Sequence, residues 1–316
     1  MKKDKVVAVA LGIALLLAPT DGSAQIRRIM VAGTERAYRV HLPPAASGRP
    51  HALVLLLHGG GGTGAGIAAH TRFDRVADRA GFILAYPAAR DRRWLDARPG
   101  FAQDDDVAFL RLLADTLRRQ HGIAPHRVFV AGISNGAMMS YRLACEAPGT
   151  FAAIGVVAGA MPAALRDSCA RGAPTAVIAL HGTEDRLVPF DGGGSLLSVP
   201  VSVALWSARA GCAHAGVPDT VDVVRDGTSV VRVAYAGCAV PVELHTIPGG
   251  GHTWPGGPRV RARILGRTTR EIDAAEVLWR FFDRASPAPR AARQARRYGF
   301  SIGSPTAFPH SVQDPS

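Results

Sequence analysis

The sequence has few cysteines, no zinc-type cysteine spacing and, after its first residues, no long apolar run. Its four cysteines form no CxxC pair and no Cys/His pattern, so a zinc site is not expected. No later segment approaches the roughly 18 consecutive apolar residues of a membrane-spanning helix, so no integral membrane association is predicted. No helix-turn-helix, finger or RNP-like pattern accompanies the net charge of +12, which argues against nucleic acid as a partner.

The first residues have the features of a secretory signal peptide. Lys2, Lys3 and Lys5 precede the apolar run "VVAVALGIALLLA", and the small residues of "DGSAQ" surround a cleavage point after Ala24. We therefore predict that residues 1–24 are a signal peptide and that the protein is secreted, either outside the cell or into a periplasm. No cysteine lies near the cleavage point, so a lipid anchor is not expected.

Secretion places the cysteines in an oxidising compartment, where an even number favours disulfides. The sequence allows three pairings of Cys145, Cys169, Cys212 and Cys238. Pairing of sequence neighbours closes the shortest loops and is preferred, with Cys145 joined to Cys169 and Cys212 to Cys238. Four buried free thiols are the alternative.

The rest of the chain divides into a body, residues 25–284, and a basic tail, residues 285–316. The tail is rich in proline and alanine, lacks sustained periodicity and is predicted to be disordered. Positive charge in the body is spread over many separated arginines, which favours contact with anionic surfaces or polymers.

Buried-strand patterns alternate with helical patterns along the body. Short apolar runs predict strands at "ALVLLL", "FILAYP", "RVFVAG", "FAAIGVVAG", "TAVIAL" and "VELHTI". Helices are predicted at "TRFDRVADRAG", where Gly81 ends the helix, and at "VAFLRLLADTLRRQHG", "NGAMMSYRLACE" and "TREIDAAEVLWRFFDR". The segment "AMPAALRDSCARGAP" is predicted to be a loop. This alternation predicts an α/β fold, with a mostly parallel sheet and helices on both faces.

Two of the predicted helices begin near acidic residues. Asp104, Asp105 and Asp106 favour the dipole at the start of one helix, and a metal site is the alternative interpretation of these carboxylates. Thr268 and Glu271 stand three residues apart, as in a capping box, and predict the start of the last helix.

Ser134 lies between a predicted strand and a predicted helix, in the G-x-S-x-G pattern "GISNG". Glycines two residues before and after a serine allow a strained turn that lifts the hydroxyl above a sheet. The alternative is a serine that caps the helix. We interpret Ser134 as a nucleophile, because an acid and a base follow it in the order that such enzymes require.

The acid and the base are each expected in a loop after a later strand. Asp185 follows the strand "TAVIAL", with Glu184 and Asp191 as rivals, and His252 lies in the glycine-rich loop "IPGGGHTWPGG". A neutral imidazole can accept the serine proton and return it to the leaving alcohol. His245 falls within a strand and is expected to pack in the interior.

The glycine run "HGGGGTG" after an early strand is predicted to form part of an oxyanion hole. The backbone N–H groups of Gly60 and of Asn135, the residue after the nucleophile, are the two expected donors. A phosphate-binding loop is the rival interpretation, but the run has no lysine where a P-loop requires one.

Four ordered motifs carry a resemblance to a known family: "LHGGGGTG", "GISNGAMMSYRLACE", "HGTEDRLVPF" and "GGGHTWPGG". Over Tyr38 to Phe282 the chain resembles the poly(3-hydroxybutyrate) depolymerase-type esterases, which group with feruloyl and acetylxylan esterases in the α/β-hydrolase superfamily. The resemblance implies that fold, with Ser134, Asp185 and His252 as nucleophile, acid and base. It also supports the neighbour pairing of the cysteines.

The chain departs from the family pattern around its glycine run and around Trp94. Gly60 stands where the family often has another small residue or a cysteine, and "DRRWLDARPG" lacks the cysteine often found near that tryptophan. No polymer-binding module is recognised, so soluble oligomers or aromatic and acetyl esters are expected rather than crystalline polyester. Trp94 and Trp254 are candidate walls of the substrate cleft, with packing in the core as the alternative.

These observations predict a secreted serine carboxylesterase that works through an acyl-enzyme and needs no metal or organic cofactor. Its expected partner is a small or oligomeric ester substrate, with a polymer surface as a further candidate. Two other functions stay open, a binding protein that keeps the fold without turnover and a serine peptidase of the same fold.

Overall fold

The computed structural model describes residues 25–44, 48, 51–99, 106–169, 173–259 and 263–286. The predicted signal peptide and all but two residues of the predicted tail lie outside these ranges. None of the described helices combines the length and the apolar character needed to cross a membrane.

The strands of the described residues assemble into one 11-stranded sheet. Their bounds are β1 (Gln25–Val31), β2 (Thr34–His41), β3 (Leu53–Leu57), β4 (Ile83–Pro87), β5 (Val128–Ile133), β6 (Ala153–Val157), β7 (Ala176–Gly182), β8 (His214–Ala215), β9 (Asp219–Val221), β10 (Val230–Ala236) and β11 (Val242–Ile247). The strand order is β1-β2-β4-β3-β5-β6-β7-β11-β10-β8, and β9 also pairs with β10.

The centre of the sheet is parallel, as predicted. Strands β4, β3, β5, β6, β7 and β11 run in the same direction, and antiparallel strands flank them on both sides. Every residue of β3 is buried, because helices cover both faces of the sheet. This order of strands and helices is the α/β-hydrolase fold that the motifs implied.

Seven helices are described: α1 (Gly64–Thr71), α2 (Asp74–Ala80), α3 (Asp106–His121), α4 (Asn135–Glu146), α5 (Leu165–Ser168), α6 (Val199–Arg209) and α7 (Ala274–Ala285). Two apolar clusters lie on opposite faces of the sheet. Leu53, Leu55 and Leu57 pack in the cluster that holds side chains of α3, α4 and α6. Val54 and Leu56 pack in the cluster that holds side chains of α1, α2 and α7. Side chains that alternate along β3 therefore pack into both apolar clusters.

The structure differs from the predicted elements at several helices. Residues 64–80 form two helices, since α1 begins within the glycine run, where the Thr63 side chain accepts a hydrogen bond from the Gly66 N–H at 3.0 Å. Gly81 ends α2 in the left-handed conformation, as predicted. The segment expected to be a loop contains α5, and α6 and the edge strands β8 to β10 were not predicted.

The predicted capping box at the last helix is wrong. Helix α7 begins at Ala274, and Asp273 caps it by accepting hydrogen bonds from the N–H groups of Ala275 and Glu276. Glu271 instead accepts hydrogen bonds from the backbone of a neighbouring segment, at Val223 and Val224. An aspartate adjacent to the helix serves as a cap more directly than a threonine five residues earlier.

Asp106 is the first residue of α3, at the helix start where it was predicted, and its side chain makes further contacts. Its carboxylate is buried and pairs with Arg36 at 2.5 Å, while it also accepts the Leu95 N–H at 2.9 Å. Asp104 and Asp105 lie outside the described residues. Within the described ranges, no group of three or more acidic, histidine or cysteine side chains is placed to hold a metal.

The cysteines pair as their sequence spacing favoured. Cys145 of α4 is joined to Cys169 after α5, and Cys212 after α6 is joined to Cys238 after β10. The first bridge joins the segment before β7 to α4, and the second joins the segment after α6 to the segment after β10.

A buried carboxylate organises the far edge of the sheet. Glu243 of β11 accepts hydrogen bonds from Arg232 at 3.0 Å and from Arg284 at 2.8 Å. Burial is the largest influence and by itself raises the pKa of Glu243. Hydrogen bonds from His245 and Arg232, together with the charge of Arg284, outweigh burial and hold that pKa at about 2.

Replacing this carboxylate should produce a pH-dependent loss of stability. Because the folded-state pKa is depressed from 4.5 to about 2, the stabilisation is complete above pH 4.5 and is lost as the pH falls towards 2. We expect Glu243→Gln to lower the free energy of unfolding at neutral pH by about 2 kcal/mol, since its arginine partners are partly exposed, and by less at pH 3. Urea denaturation at both pH values measures this, with Glu35→Gln at an exposed ion pair as the control. An equal loss at both pH values would contradict the assignment.

Candidate active site

Ser134 occupies a sharp turn between β5 and α4. Its backbone has φ 57° and ψ −121°, a conformation that residues other than glycine rarely adopt. Its hydroxyl makes no capping hydrogen bond to the helix. Its N–H donates to the carbonyl oxygen of Val157 at 2.9 Å, which ties the turn to β6. The turn is therefore strained, and the hydroxyl is not used as the helix cap.

The two glycines of the G-x-S-x-G pattern are required by close backbone contacts. A Cβ on Gly132 would lie 2.4 Å from the backbone of Gly136. A Cβ on Gly136 would lie 2.5 Å from the carbonyl oxygen of Leu57 and 2.6 Å from that of His58. Any larger residue at either position would separate α4 from β5 and β3.

Asp185 and His252 lie next to each other at the carboxyl edge of the sheet. Asp185 follows β7 and His252 follows β11, and these two strands are neighbours. The Nδ1 of His252 donates to Oδ2 of Asp185 at 2.7 Å, and both side chains are buried. The other carboxylate oxygen accepts the N–H groups of Leu187 and Val188 at 2.9 Å and 2.8 Å.

The rival residues occupy other positions. Glu184 is exposed and forms an ion pair with Arg267, and Asp191 is exposed on the surface. His245 is buried in β11 beside Glu243, in agreement with its predicted packing role.

His181 supports the loop that carries Asp185. Its Nε2 donates to the carbonyl oxygen of Val188 at 2.8 Å and lies 3.4 Å from Oδ2 of Asp185. Burial, the largest influence, lowers the pKa of His181, which keeps the ring neutral and preserves this donor arrangement.

Ser134 and His252 line the same cavity, which has a volume of about 380 Å³. Gly59 and Gly60 line one side of it, and Leu187 lines another. A larger cavity of about 540 Å³ lies beside α3, but its charged side chains include an Arg118–Asp115 ion pair, and neither Ser134 nor His252 reaches it. The smaller cavity is therefore the candidate active site.

The glycine run forms a tight loop at the edge of this cavity. The Gly61 N–H donates to Arg92 and the Gly62 N–H to Gly59, whereas no acceptor for the Gly60 N–H is found among the described residues. Asn135 is the first residue of α4, so its N–H has no acceptor within the helix. These are the two N–H groups that the sequence predicted as oxyanion donors.

His58 holds this loop through both ring nitrogens. The Ala89 N–H donates to Nε2 at 3.2 Å, so the proton of the neutral ring lies on Nδ1, which donates to the carbonyl oxygen of Gly59 at 2.8 Å. Burial, the largest influence, lowers the pKa of His58 and favours this neutral form.

The side chain of Asn135 makes contacts that sequence reasoning missed. It accepts the Trp94 N–H at 2.7 Å, and its amide donates to the Trp94 carbonyl oxygen at 2.9 Å and to the buried Asp96 at 2.6 Å. The only feature of the sequence that could have indicated these contacts is the position of "DRRWLDARPG". This segment follows β4 and so lies at the same edge of the sheet as Ser134.

The structure does not place the two tryptophans on the walls of the cavity. Trp94 is 0% exposed and donates its indole N–H to the carbonyl oxygen of His58, and Trp254 is 1% exposed within a core cluster. Neither contributes to the lining of the cavity. The prediction that they form walls of the substrate cleft is therefore wrong. Both side chains pack in the core, which was the alternative interpretation.

The sheet order, the elbow at Ser134 and the neighbouring Asp185–His252 pair define the class as an α/β hydrolase. The acetyl xylan esterase from Aspergillus awamori has the same fold, with a TM-score of 0.51 at 17% identity, over 72% of this chain and 94% of that one.

Sequence comparison identifies the family. The protein-family model described as "Esterase PHB depolymerase" matches residues 36–181 of this chain. "Putative esterase NocK" from Nocardia uniformis subsp. tsuyamanensis is 34% identical over 289 residues, which are 81% of this chain and 82% of that protein. "Feruloyl esterase C" from Emericella nidulans is 27% identical over 224 residues, covering 68% of this chain and 76% of that protein. The chain belongs to the poly(3-hydroxybutyrate) depolymerase-type esterase family, as the motifs predicted, and is an ester hydrolase.

Alanine at Gly132 should destabilise the fold strongly. The added Cβ meets backbone atoms that have no flexible side chain to move, so we expect a loss of more than about 3 kcal/mol in the free energy of unfolding. Gly60→Ala is the matched control, because its Cβ would meet nothing closer than 3.8 Å. Equal stability of the two variants in urea denaturation would show that the close contact between residue 132 and the Gly136 backbone does not determine the stability of the fold.

Relief of the strain at residue 134 should also be measurable. Ser134→Gly and Ser134→Ala both lack the hydroxyl, but only glycine adopts φ 57° without strain. We expect the glycine variant to be more stable than the alanine variant by about 1 kcal/mol, after the greater flexibility of unfolded glycine is included. A more stable alanine variant in thermal or urea denaturation would rule out this backbone strain.

Proposed function

We propose that this protein hydrolyses carboxylic esters with Ser134 as nucleophile, His252 as general base and acid, and Asp185 as the orienting carboxylate. One observation carries the proposal. A serine held in a strained elbow shares a cavity with a histidine whose Nδ1 is bound by a buried carboxylate at 2.7 Å. This is the arrangement that activates a serine hydroxyl.

The hydrogen bond to Asp185 determines which nitrogen of His252 can act as the base. Since Nδ1 donates to the carboxylate, the neutral ring has its lone pair on Nε2. That nitrogen accepts the proton of Ser134 while the serine oxygen forms a bond to the ester carbonyl carbon. The imidazolium that results is stabilised by the adjacent Asp185 carboxylate.

The oxyanion of the tetrahedral intermediate accepts hydrogen bonds from the N–H groups of Gly60 and Asn135. When the intermediate collapses, His252 returns its proton to the departing alcohol and an acyl-enzyme remains on Ser134. Water then attacks the acyl-enzyme, with its proton passing to His252. As the acid departs, His252 returns this proton to the Ser134 oxygen, so each turnover consumes one ester and one water and restores the enzyme.

We further propose that the protein is secreted and that its substrate is soluble. Two disulfides support an oxidising compartment. A cavity of about 380 Å³ is large enough to accept a small ester. Hydroxyalkanoate oligomers and feruloyl or acetyl esters of polysaccharides are the substrate classes that the relatives' names suggest.

Removal of the nucleophile should abolish turnover. We expect Ser134→Ala to lower kcat/KM for p-nitrophenyl butyrate by more than about a thousandfold, and Asp185→Asn to cause a large loss without unfolding the protein. Glu184→Gln, at the exposed neighbour, is the matched control and should retain activity. A fluorophosphonate probe should label the wild type at Ser134, as read by peptide mass spectrometry. Full turnover by Ser134→Ala would exclude this mechanism.

A further inference from the structure

Residues 92–96, in the segment after β4, contact both halves of the proposed oxyanion hole, and we call them the spacer segment. The backbone is left-handed at or beside both ends of this segment, with φ 47° at Asp91, 58° at Arg92 and 71° at Ala97. Residues other than glycine keep this conformation only where surrounding contacts hold them, and they concentrate at functional sites. Contacts with other parts of the chain must therefore fix the spacer segment.

The spacer segment binds the glycine run on one side. The Arg92 carbonyl oxygen accepts the Gly61 N–H at 2.8 Å, and the Trp94 indole N–H donates to the carbonyl oxygen of His58 at 2.9 Å. The glycines have no side chains of their own that could anchor the run. These contacts therefore help to determine where the Gly60 N–H lies.

The spacer segment binds the side chain of Asn135 on the other side. The Oδ1 of Asn135 accepts the Trp94 N–H at 2.7 Å, and its Nδ2 donates to the Trp94 carbonyl oxygen at 2.9 Å and to Asp96 at 2.6 Å. A backbone N–H can only donate and a carboxylate can only accept, so these partners assign the two ends of the amide. Asn135 thus offers its backbone N–H to the proposed oxyanion hole and its side chain to the spacer segment.

Asp96 ends the spacer segment and is 0% exposed. Its Oδ2 accepts hydrogen bonds from the Asn135 amide and from Nη2 of Arg98, each at 2.6 Å, and its Oδ1 accepts the Arg98 N–H at 3.2 Å. A carboxylate that is removed from water is stable only where such donors surround it. Burial of Asp96 therefore favours the one position of the segment in which Asn135 reaches the carboxylate.

Two helices hold the middle of the spacer segment. The Leu95 N–H donates to Asp106, the first residue of α3, at 2.9 Å, and the Leu95 carbonyl oxygen accepts Nη1 of Arg142 in α4 at 2.5 Å. These contacts place the segment against the body of the fold. The contacts of Asn135 differ from them, because they join the segment directly to a residue that supplies an oxyanion donor.

We propose that the side chains of Asn135 and Asp96 position the oxyanion hole. They hold the spacer segment so that the N–H groups of Gly60 and Asn135 converge on one oxygen atom. This inference rests on the proposed esterase activity. Donors that are fixed in advance stabilise the charge that develops in the transition state, and a misplacement of about 1 Å can lower a rate a hundredfold. Because the effect is on the transition state, it appears in kcat more than in KM.

Asn135→Ala tests the proposal directly, because it removes the side chain and leaves the backbone N–H in place. We expect Asn135→Ala and Asp96→Ala each to lower kcat for p-nitrophenyl butyrate about a hundredfold, with KM within about threefold of the wild type. Since Asp96 acts through Asn135, the double variant should have a kcat within about threefold of the slower single variant.

An inhibitor that forms an oxyanion gives a second readout. Pentyl trifluoromethyl ketone is attacked by Ser134 to give a tetrahedral adduct, whose oxygen occupies the oxyanion hole. Its inhibition constant should rise in each variant by about the factor by which kcat/KM falls. A variant that is merely less stable, but folded, would bind the ketone as the wild type does.

Glu243→Gln is the matched control, because it changes another buried carboxylate that binds arginine, at a residue that does not line this cavity. It should keep kcat within about twofold of the wild type, with near-UV circular dichroism to confirm that every variant is folded. If Asp96→Ala does not fold, the result for Asn135→Ala decides.

Three results would overturn the inference and leave the esterase proposal intact. The first is a folded Asn135→Ala variant whose kcat is within about threefold of the wild type. The second is a loss that lies in KM with kcat unchanged. The third is a double variant slowed by the product of the two single effects, since Asp96 would then act independently of Asn135. A wild type that hydrolyses no ester would instead contradict the esterase proposal.

Discussion

The left-handed backbone at Ser134 is the constraint on which the arrangement of this site depends. A non-glycine residue with φ 57° costs roughly 1–3 kcal/mol and persists only where its neighbours leave no alternative. Gly132 and Gly136 supply that condition by letting α4 approach β5 and β3 to backbone contact. Ser134 immediately precedes α4, yet its hydroxyl makes no capping hydrogen bond to the helix. Packing of the sheet thereby maintains the strain of the turn.

The strand order accounts for the rest of the proposed triad. Strands β7 and β11 are far apart in sequence but adjacent in the sheet, so the loops after them meet. Asp185 accepts hydrogen bonds from the N–H groups of Leu187 and Val188, and the residues on either side of His252, Gly251 and Thr253, make backbone hydrogen bonds. A parallel sheet can place such residues together because all its carboxyl ends lie at one edge. The topology of the sheet therefore brings the residues of the proposed triad to the same edge.

The sequence was most informative where one residue type or a short apolar run decides the local structure. The buried strands, the glycine elbow and the loops of Asp185 and His252 were predicted because periodicity and chain order specify them. The side-chain network of Asn135, the pairing of Asp106 with Arg36 and the interior position of Trp94 were not. These depend on contacts between segments distant in sequence, for which no local pattern exists. The capping-box prediction failed for the same reason, because Glu271 binds the distant backbone of Val223 and Val224 while Asp273 caps α7.

Charge acts at two distances in this protein. The net charge of +12 comes from arginines and lysines scattered along the whole sequence. Salt screens such exposed charge beyond about 8–10 Å, so it can attract anions without distinguishing among them. The loop at residues 90–98 differs, because the buried carboxylate of Asp96 binds both Arg98 and the side-chain amide of Asn135. These charge-assisted hydrogen bonds act over less than 3 Å and depend on geometry as well as on sign. Burial of Asp96 is unfavourable for an isolated carboxylate, and its contacts with Asn135 and Arg98 offset that cost. The network thus fixes the position of this loop beside Asn135, the residue that follows Ser134.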